Sequence, residues 1–173
     1  MLDIETTSTR VHAGILTIGA IRFDRNASLK NLSEYDKFYV KIDIDSCVNR
    51  DCHIDESTMS WWESQKKHIK DEAFSGTVPI DEALISFKKW FGRSRFVWGN
   101  GDDFDCAILD EWFKKCDITP PWKFWNTRDC RTLYDVTGIN LNDFKGREQH
   151  NALHDCYYQI RALCAAFDVL KCE

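Results

Sequence analysis

Proline and glycine are scarce in this chain, at 3 and 8 of 173 residues. That excludes collagen-like and Pro-rich disordered classes, and 43% hydrophobic residues against 29% charged are enough to build a core. No run approaches the ~20 apolar residues of a membrane span, so no membrane association is expected. The start, Met1-Leu2-Asp3-Ile4-Glu5, has neither a basic segment nor an apolar one after it. A signal peptide is therefore not expected, and the expected location is the cytoplasm, of a host cell if the protein is viral. A positive excess is also missing: 23 Lys+Arg against 28 Asp+Glu leave a net charge of -5. That excludes a protein holding nucleic acid by bulk positive charge. An enzyme meeting phosphates at one site through metal ions remains open, because a cation inverts the local sign.

Cysteine is plentiful, with eight, but not in the spacings that matter. No Cys-x-x-Cys pair occurs, and Cys47-x4-Cys52-His53 has no second cluster to complete a zinc site. Without a secretory signal, scattered reduced thiols are the expectation. The length suits one domain spanning 1–173.

Residues 14–24 and 36–42 read as strands, the second with Phe38, Val40 and Ile42 on one face. With the short segment 1–5 they form a meander. Ser57 or Thr58 is positioned to cap a helix over 59–65, and a short helical patch follows at 71–74. Ile80, Ala83, Leu84, Phe87 and Phe91 mark an amphipathic helix over 79–91. A short buried strand at 96–99 precedes a helix over 104–113. Pro120-Pro121 breaks the chain. A helix is expected over 127–136, a polar loop over 140–149, and a long helix over 152–170. This order fits an α/β domain with a mixed sheet.

Three groups of residues carry chemistry. Asp3 and Glu5 alternate on a strand and share a face. Their mutual repulsion is relieved by a divalent cation, although for the pair alone a solvated strand end is the commoner reading. Asp105 follows a buried strand and a Gly-flanked turn, where α/β domains bind ligands, and where an Asp also serves as a helix cap. His150 and Asp155 open the long helix. With Asn151 as N-cap, His150 lies outside the helix and can turn toward Asp155; a surface His beside a first-turn Asp is the plain alternative.

Taken together, the pattern Asp-x-Glu, Asn-x3-Phe-Asp and His-x4-Asp resembles the DEDDh branch of the 3′–5′ exonuclease superfamily. The matching stretches are Leu2-Asp3-Ile4-Glu5-Thr6, Asn100-Gly101-Asp102-Asp103-Phe104-Asp105 and His150-Asn151-Ala152-Leu153-His154-Asp155. The stretches at 58–65 and 126–133 are similar to the subfamily of phage exonucleases and the mycobacterial RNase AS-type exoribonuclease. The resemblance spans nearly the whole chain.

It implies a ribonuclease-H-like mixed five-stranded sheet, an antiparallel meander plus parallel strands, flanked by helices. It implies a two-metal-ion hydrolase that releases nucleoside 5′-monophosphates from the 3′ end of RNA or single-stranded DNA. Asp3, Glu5, Asp105 and Asp155 would bind two Mg²⁺ or Mn²⁺ ions, and His150 would be the general base. A homodimer is the other partner expected from relatives. Two features depart from the pattern. The chain opens at the first motif, so the first strand is expected to lack residues that relatives place before it. Asp102 and Asp103 add charge beside Asp105 and are rival ligands, with the Phe104-Asp105 register favouring Asp105.

Expected substrate contacts are Thr6 and Thr7, with hydroxyl or backbone groups. Trp61 and Trp62 are read either as stacking platforms or as core. Arg128 and Arg131, three apart on the expected helix, would share a face for phosphate or partner binding, unless they pair with Asp129 or Asp135. Lys145 and Arg147 lie in the loop before the base, either gating the site or simply solvated.

Overall fold

Seven consecutive buried residues, Ile15–Ile21, form β2, the central strand of a three-stranded antiparallel sheet. Strand β1, Leu2–Thr6, pairs with it so that Asp3 faces Gly19 and Glu5 faces Thr17. Strand β3, Lys37–Lys41, lies on the other side of β2. The computed structural model describes residues 1–24, 34–146 and 150–171. Arg147, part of the expected polar loop, and Cys172 lie outside those residues.

The meander is followed by α1, Ile44–Val48, α2, Glu56–Ser64, α3, Lys67–Phe74, and α4, Ile80–Phe91. Strand β4, Val97–Gly99, leads into α5, Asp102–Lys115; strand β5, Thr127–Asp129, leads into α6, Cys130–Thr137. The longest helix, α7, is Ala152–Lys171. Apolar residues pack on both faces of the strands. Leu2, Ile4 and Ile18 meet Phe87, Leu109, Trp112 and Phe113 of α4 and α5. Ile21 meets Cys130, Cys156, Ile160 and Leu163 of α6 and α7. All seven cysteines of the described residues are free thiols. Among those residues no helix is long and apolar enough to cross a membrane.

The structure corrects four expectations. The strands form two sheets, not one of five: β4 and β5 pair in parallel as a separate ribbon. The reason lies at the β1 edge, where the Ile4 N–H donates to Asp105 Oδ1 at 3.2 Å instead of to a β4 carbonyl. The expected helix over 127–136 is a strand and a helix, because Thr127–Asp129 pairs with Val97–Gly99 before Asp129 caps α6. Arg128 and Arg131 therefore do not share a helical face. Asp55, not Ser57 or Thr58, caps α2: its carboxylate accepts from the N–H groups of both. Helix α1 was not expected, its five residues being too short to show a period.

Gly19 sets how closely α7 approaches the sheet. A Cβ there would lie 2.4 Å from the Ala152 carbonyl carbon and the Leu153 nitrogen. Both are backbone atoms and cannot rotate away. Gly19→Ala should therefore force the start of α7 off β2, at an overpacking cost of about 1–3 kcal/mol. We expect a drop of several degrees in Tm. An unchanged Tm would show that the helix is not seated this tightly.

Candidate active site

Asp3 and Glu5 project from β1 toward α7, as alternate strand residues must. Gly19, opposite Asp3, admits the first turn of α7 beside them, and that turn carries Asp155. Asp105 arrives from the first turn of α5. Its helix starts at Gly101, whose φ of 108° lies in the left-handed region that favours glycine. The Gly101 N–H donates to Asp129 Oδ1 at 3.0 Å, which ties the turn to β5. Asp105 is 3% exposed, whereas Asp103 is exposed and Asp102 half-buried. Of the three adjacent acids, Asp105 is the one that joins the cluster.

His150 sits just before α7 with φ 65°, an uncommon conformation for a non-glycine residue. It turns the backbone so that the His150 N–H donates to Asp155 Oδ2 at 3.2 Å. Ligand atoms of Glu5, His150 and Asp155 all lie within 4.8 Å of one another. The Trp61 ring meets the imidazole edge-on, centroids 4.7 Å apart. Asn151 caps α7, accepting from the His154 N–H, and its amide donates to the Tyr39 hydroxyl at 3.2 Å.

Charge is concentrated here at high cost. Burial, and then the charges of Asp105, Glu5 and Asp155, raise the Asp3 carboxyl well above the usual range. Burial and the Asp155 and Asp105 charges do the same to Glu5. Burial pushes Asp105 up to about 7, against the Ile4 N–H and the Arg131 charge. Asp155 rises to about 6, again through burial. Burial lowers His150, so its imidazole is neutral near pH 7. Among the described residues, Asp155 Oδ1 and Gln159 Oε1 are buried and have no hydrogen-bond partner. Hard oxygens that repel one another, together with two unsatisfied acceptors, are a donor set suited to divalent cations.

A pH dependence follows. Carboxyls whose folded pKa is raised hold protons in the folded state that the unfolded chain has already lost. Stability must fall as pH rises through that window, which ends near 7 for Asp105 and near 6 for Asp155, with Asp3 and Glu5 acting in the same direction. The lowered His150 acts in the opposite sense, one group against four. In EDTA the Tm should decline from pH 5 to pH 8. Added Mn²⁺ should raise Tm more at pH 8 than at pH 5, because the cation binds the ionised cluster. A metal-free Tm independent of pH would contradict the electrostatics described here.

A cavity of about 320 Å³ opens beside Glu5, lined by Ile4, Thr6, Thr58, Trp61 and Phe104 among others. The substrate contacts expected from sequence separate around it. Trp61, 39% exposed, faces both the cavity and His150. Trp62 forms the inner wall but is 1% exposed, and its Nε1 donates to the Thr6 carbonyl. Thr6 lines the cavity while its hydroxyl donates to the Ser8 carbonyl. Thr7 is buried away from it, with Oγ1 donating to the His53 carbonyl and accepting from the Gly14 N–H. Arg131 lies over Gly101 beside Asp105. Arg128 lies over the Phe96 ring at 4.5 Å, apart from the carboxylates. Asp129 is occupied in capping α6 through the Arg131 and Thr132 N–H groups.

Sequence reasoning missed Gln159, which is buried and donates from Nε2 to Asp3 Oδ1 at 2.7 Å. A signal existed: Gln159 lies four residues after Asp155 and three after Cys156, a polar side chain inside the buried stripe of α7. Asn151 was read as a cap, but nothing in the sequence linked it to Tyr39.

Comparison with known proteins agrees with this geometry. Residues 1–167 match the model of the 3′–5′ exoribonuclease Rv2179c-like domain. The chain is also similar to an exodeoxyribonuclease of Enterobacteria phage T4, at 24% identity over 92% of this chain and 85% of that protein. With its carboxylates gathered from both ends of the matched region, the chain belongs to the 3′–5′ exoribonuclease Rv2179c-like family, among the DnaQ-like 3′–5′ exonucleases.

Proposed function

We propose that the chain hydrolyses single-stranded nucleic acid, RNA or DNA, from its 3′ end and releases nucleoside 5′-monophosphates. The observation that carries this reading is the convergence of four buried carboxylates and one neutral imidazole at the rim of an aromatic-lined cavity. We read the strands and their flanking helices as ribonuclease-H-like.

Asp3, Glu5, Asp105 and Asp155 would hold two Mg²⁺ or Mn²⁺ ions. Bound there, such ions activate the attacking water and stabilise the leaving oxygen of a phosphodiester. The protein's own groups do the rest. Gln159 orients the Asp3 carboxylate through Nε2. The His150 N–H and the helix start hold Asp155. The His150 imidazole, neutral near pH 7, accepts the proton of the attacking water. Trp61 holds that imidazole edge-on and, with Phe104, offers apolar surface to the terminal nucleoside.

The two comparisons name different nucleic acids, an exoribonuclease and an exodeoxyribonuclease. The deciding experiment uses matched 5′-labelled RNA and DNA oligonucleotides, single- and double-stranded, in Mg²⁺ and Mn²⁺. A ladder shortening from the 3′ end is expected on at least one single strand. Internal cuts would indicate an endonuclease, and no product on any strand would indicate a binding domain that has kept the site.

A further inference from the structure

Away from the carboxylates, the start of the β4–β5 ribbon carries an unusual surface. Phe124 is 79% exposed and Trp125 61%, their rings 4.8 Å apart. Phe96, immediately before β4, is 39% exposed. Two guanidinium groups lie over its ring, Arg95 at 4.9 Å and Arg128 at 4.5 Å. Arg128 also donates from Nη1 to the Trp125 carbonyl at 2.8 Å, joining the two aromatic groups into one patch. None of these residues serves the carboxylate site. Leaving large aromatic rings in water is unfavourable, and a patch of this kind marks a contact surface.

We propose that Phe124, Trp125 and Phe96, with Arg95 and Arg128, form a stacking platform for the single strand upstream of the 3′ end. The proposal rests on the nuclease reading above and assigns the chain a second contact with its substrate. Aromatic faces interleaved with arginines are the combination that grips single strands without regard to sequence: bases stack and guanidinium groups meet phosphates. The placement also fits. Strands β4 and β5 run parallel, with the platform at their starts and Asp105 at their ends. A Cβ on Gly99 would lie 3.2 Å from Asp105 Oδ2. Three strand steps lead from Phe96 to Gly99, about 10 Å, so a few nucleotides bridge the two sites. Arg131, over Gly101 and beside Asp105, lies at the carboxylate end of that route.

Charge selects nucleic acid over a second copy of the chain. A symmetric contact centred on the patch would bring the same arginines of two copies together. The phosphates of a single strand instead meet Arg95 and Arg128 as local counter-charges, although the chain as a whole carries -5.

The test compares wild type with the double variant Phe124→Ala/Trp125→Ala on 5′-fluorescein-labelled oligothymidylates of three and twelve nucleotides. Anisotropy in EDTA reads binding without cleavage. The variant should bind the twelve-mer about tenfold or more weakly and the three-mer unchanged. Arg128→Ala should lower the logarithmic salt slope for the twelve-mer by about 0.7, the share of one phosphate on a single strand. In Mn²⁺, KM for the twelve-mer should rise with kcat unaltered. Equal binding by wild type and variant, or an equal loss on both lengths, would overturn the proposal. So would a wild-type dimer in sedimentation that the variant abolishes, which would assign the patch to a second copy. If neither protein cleaves a single-stranded RNA or DNA oligonucleotide, the nuclease reading fails, while the EDTA binding still decides the platform.

Discussion

Asp3→Asn should abolish cation-dependent stabilisation and lower phosphodiester hydrolysis by several kcal/mol of transition-state stabilisation, on the order of 10³-fold. Asp3 is the carboxylate that the other three all push on or share neighbours with, and Gln159 aims it. The amide keeps the shape and removes one negative charge. Two consequences should separate in measurement. In EDTA the variant should melt higher than wild type near pH 8, because a repulsive buried charge is gone. In saturating Mn²⁺ wild type should melt higher, because it holds the cations more tightly. Wild-type turnover by Asp3→Asn in Mg²⁺ would remove Asp3 from the site altogether.

His150→Ala should reduce single-turnover cleavage by about 10²–10⁴-fold, the usual worth of a positioned general base. His154→Ala should change it by no more than a few-fold. The two imidazoles are four residues apart yet differently held. His150 is half-buried, has a left-handed backbone, and lies within 4.8 Å of Glu5 and Asp155. His154 is exposed on the helix, and its charge bears on Asp155. Because His150 belongs to the tight group, its loss also tests whether it binds metal. A Tm rise in Mn²⁺ equal to that of wild type identifies a base, and a diminished rise a ligand. If His154→Ala is the severe variant, His150 is not the base.

The long, regular elements were legible. Alternation marked β1 and β3, and helical periods marked α4, α5 and α7, each within a few residues. Short elements were not. Three residues of β5 hold too little pattern to compete with the helical signal that follows, and only the pairing with β4 reveals them. The single sheet expected from the resemblance is two sheets, and at the β1 edge the Ile4 N–H goes to the Asp105 side chain, which no sequence pattern announced. Ordered spacing, through the resemblance it carries, pointed to five residues that the fold brings near one another, although no one of them was informative alone. Trp61 and Trp62 show the limit. Adjacent helical residues point about 100° apart, so one had to face inward and the other out, but composition does not say which. The backbone of α2 decides, turning Trp62 to the Thr6 carbonyl and Trp61 to His150.

The hydrogen bond from Gln159 to Asp3 spans 156 residues of sequence. On the ribosome β1 is made early, and its two acids stay without Asp105, Asp155 and Gln159 until α7 has been synthesised. The loop that must close is nearly as long as any this chain can form, so its closure comes late. The acidic cluster is therefore incomplete until α7 has been synthesised and has docked on β2, and the buried repulsion it creates arises only at that step.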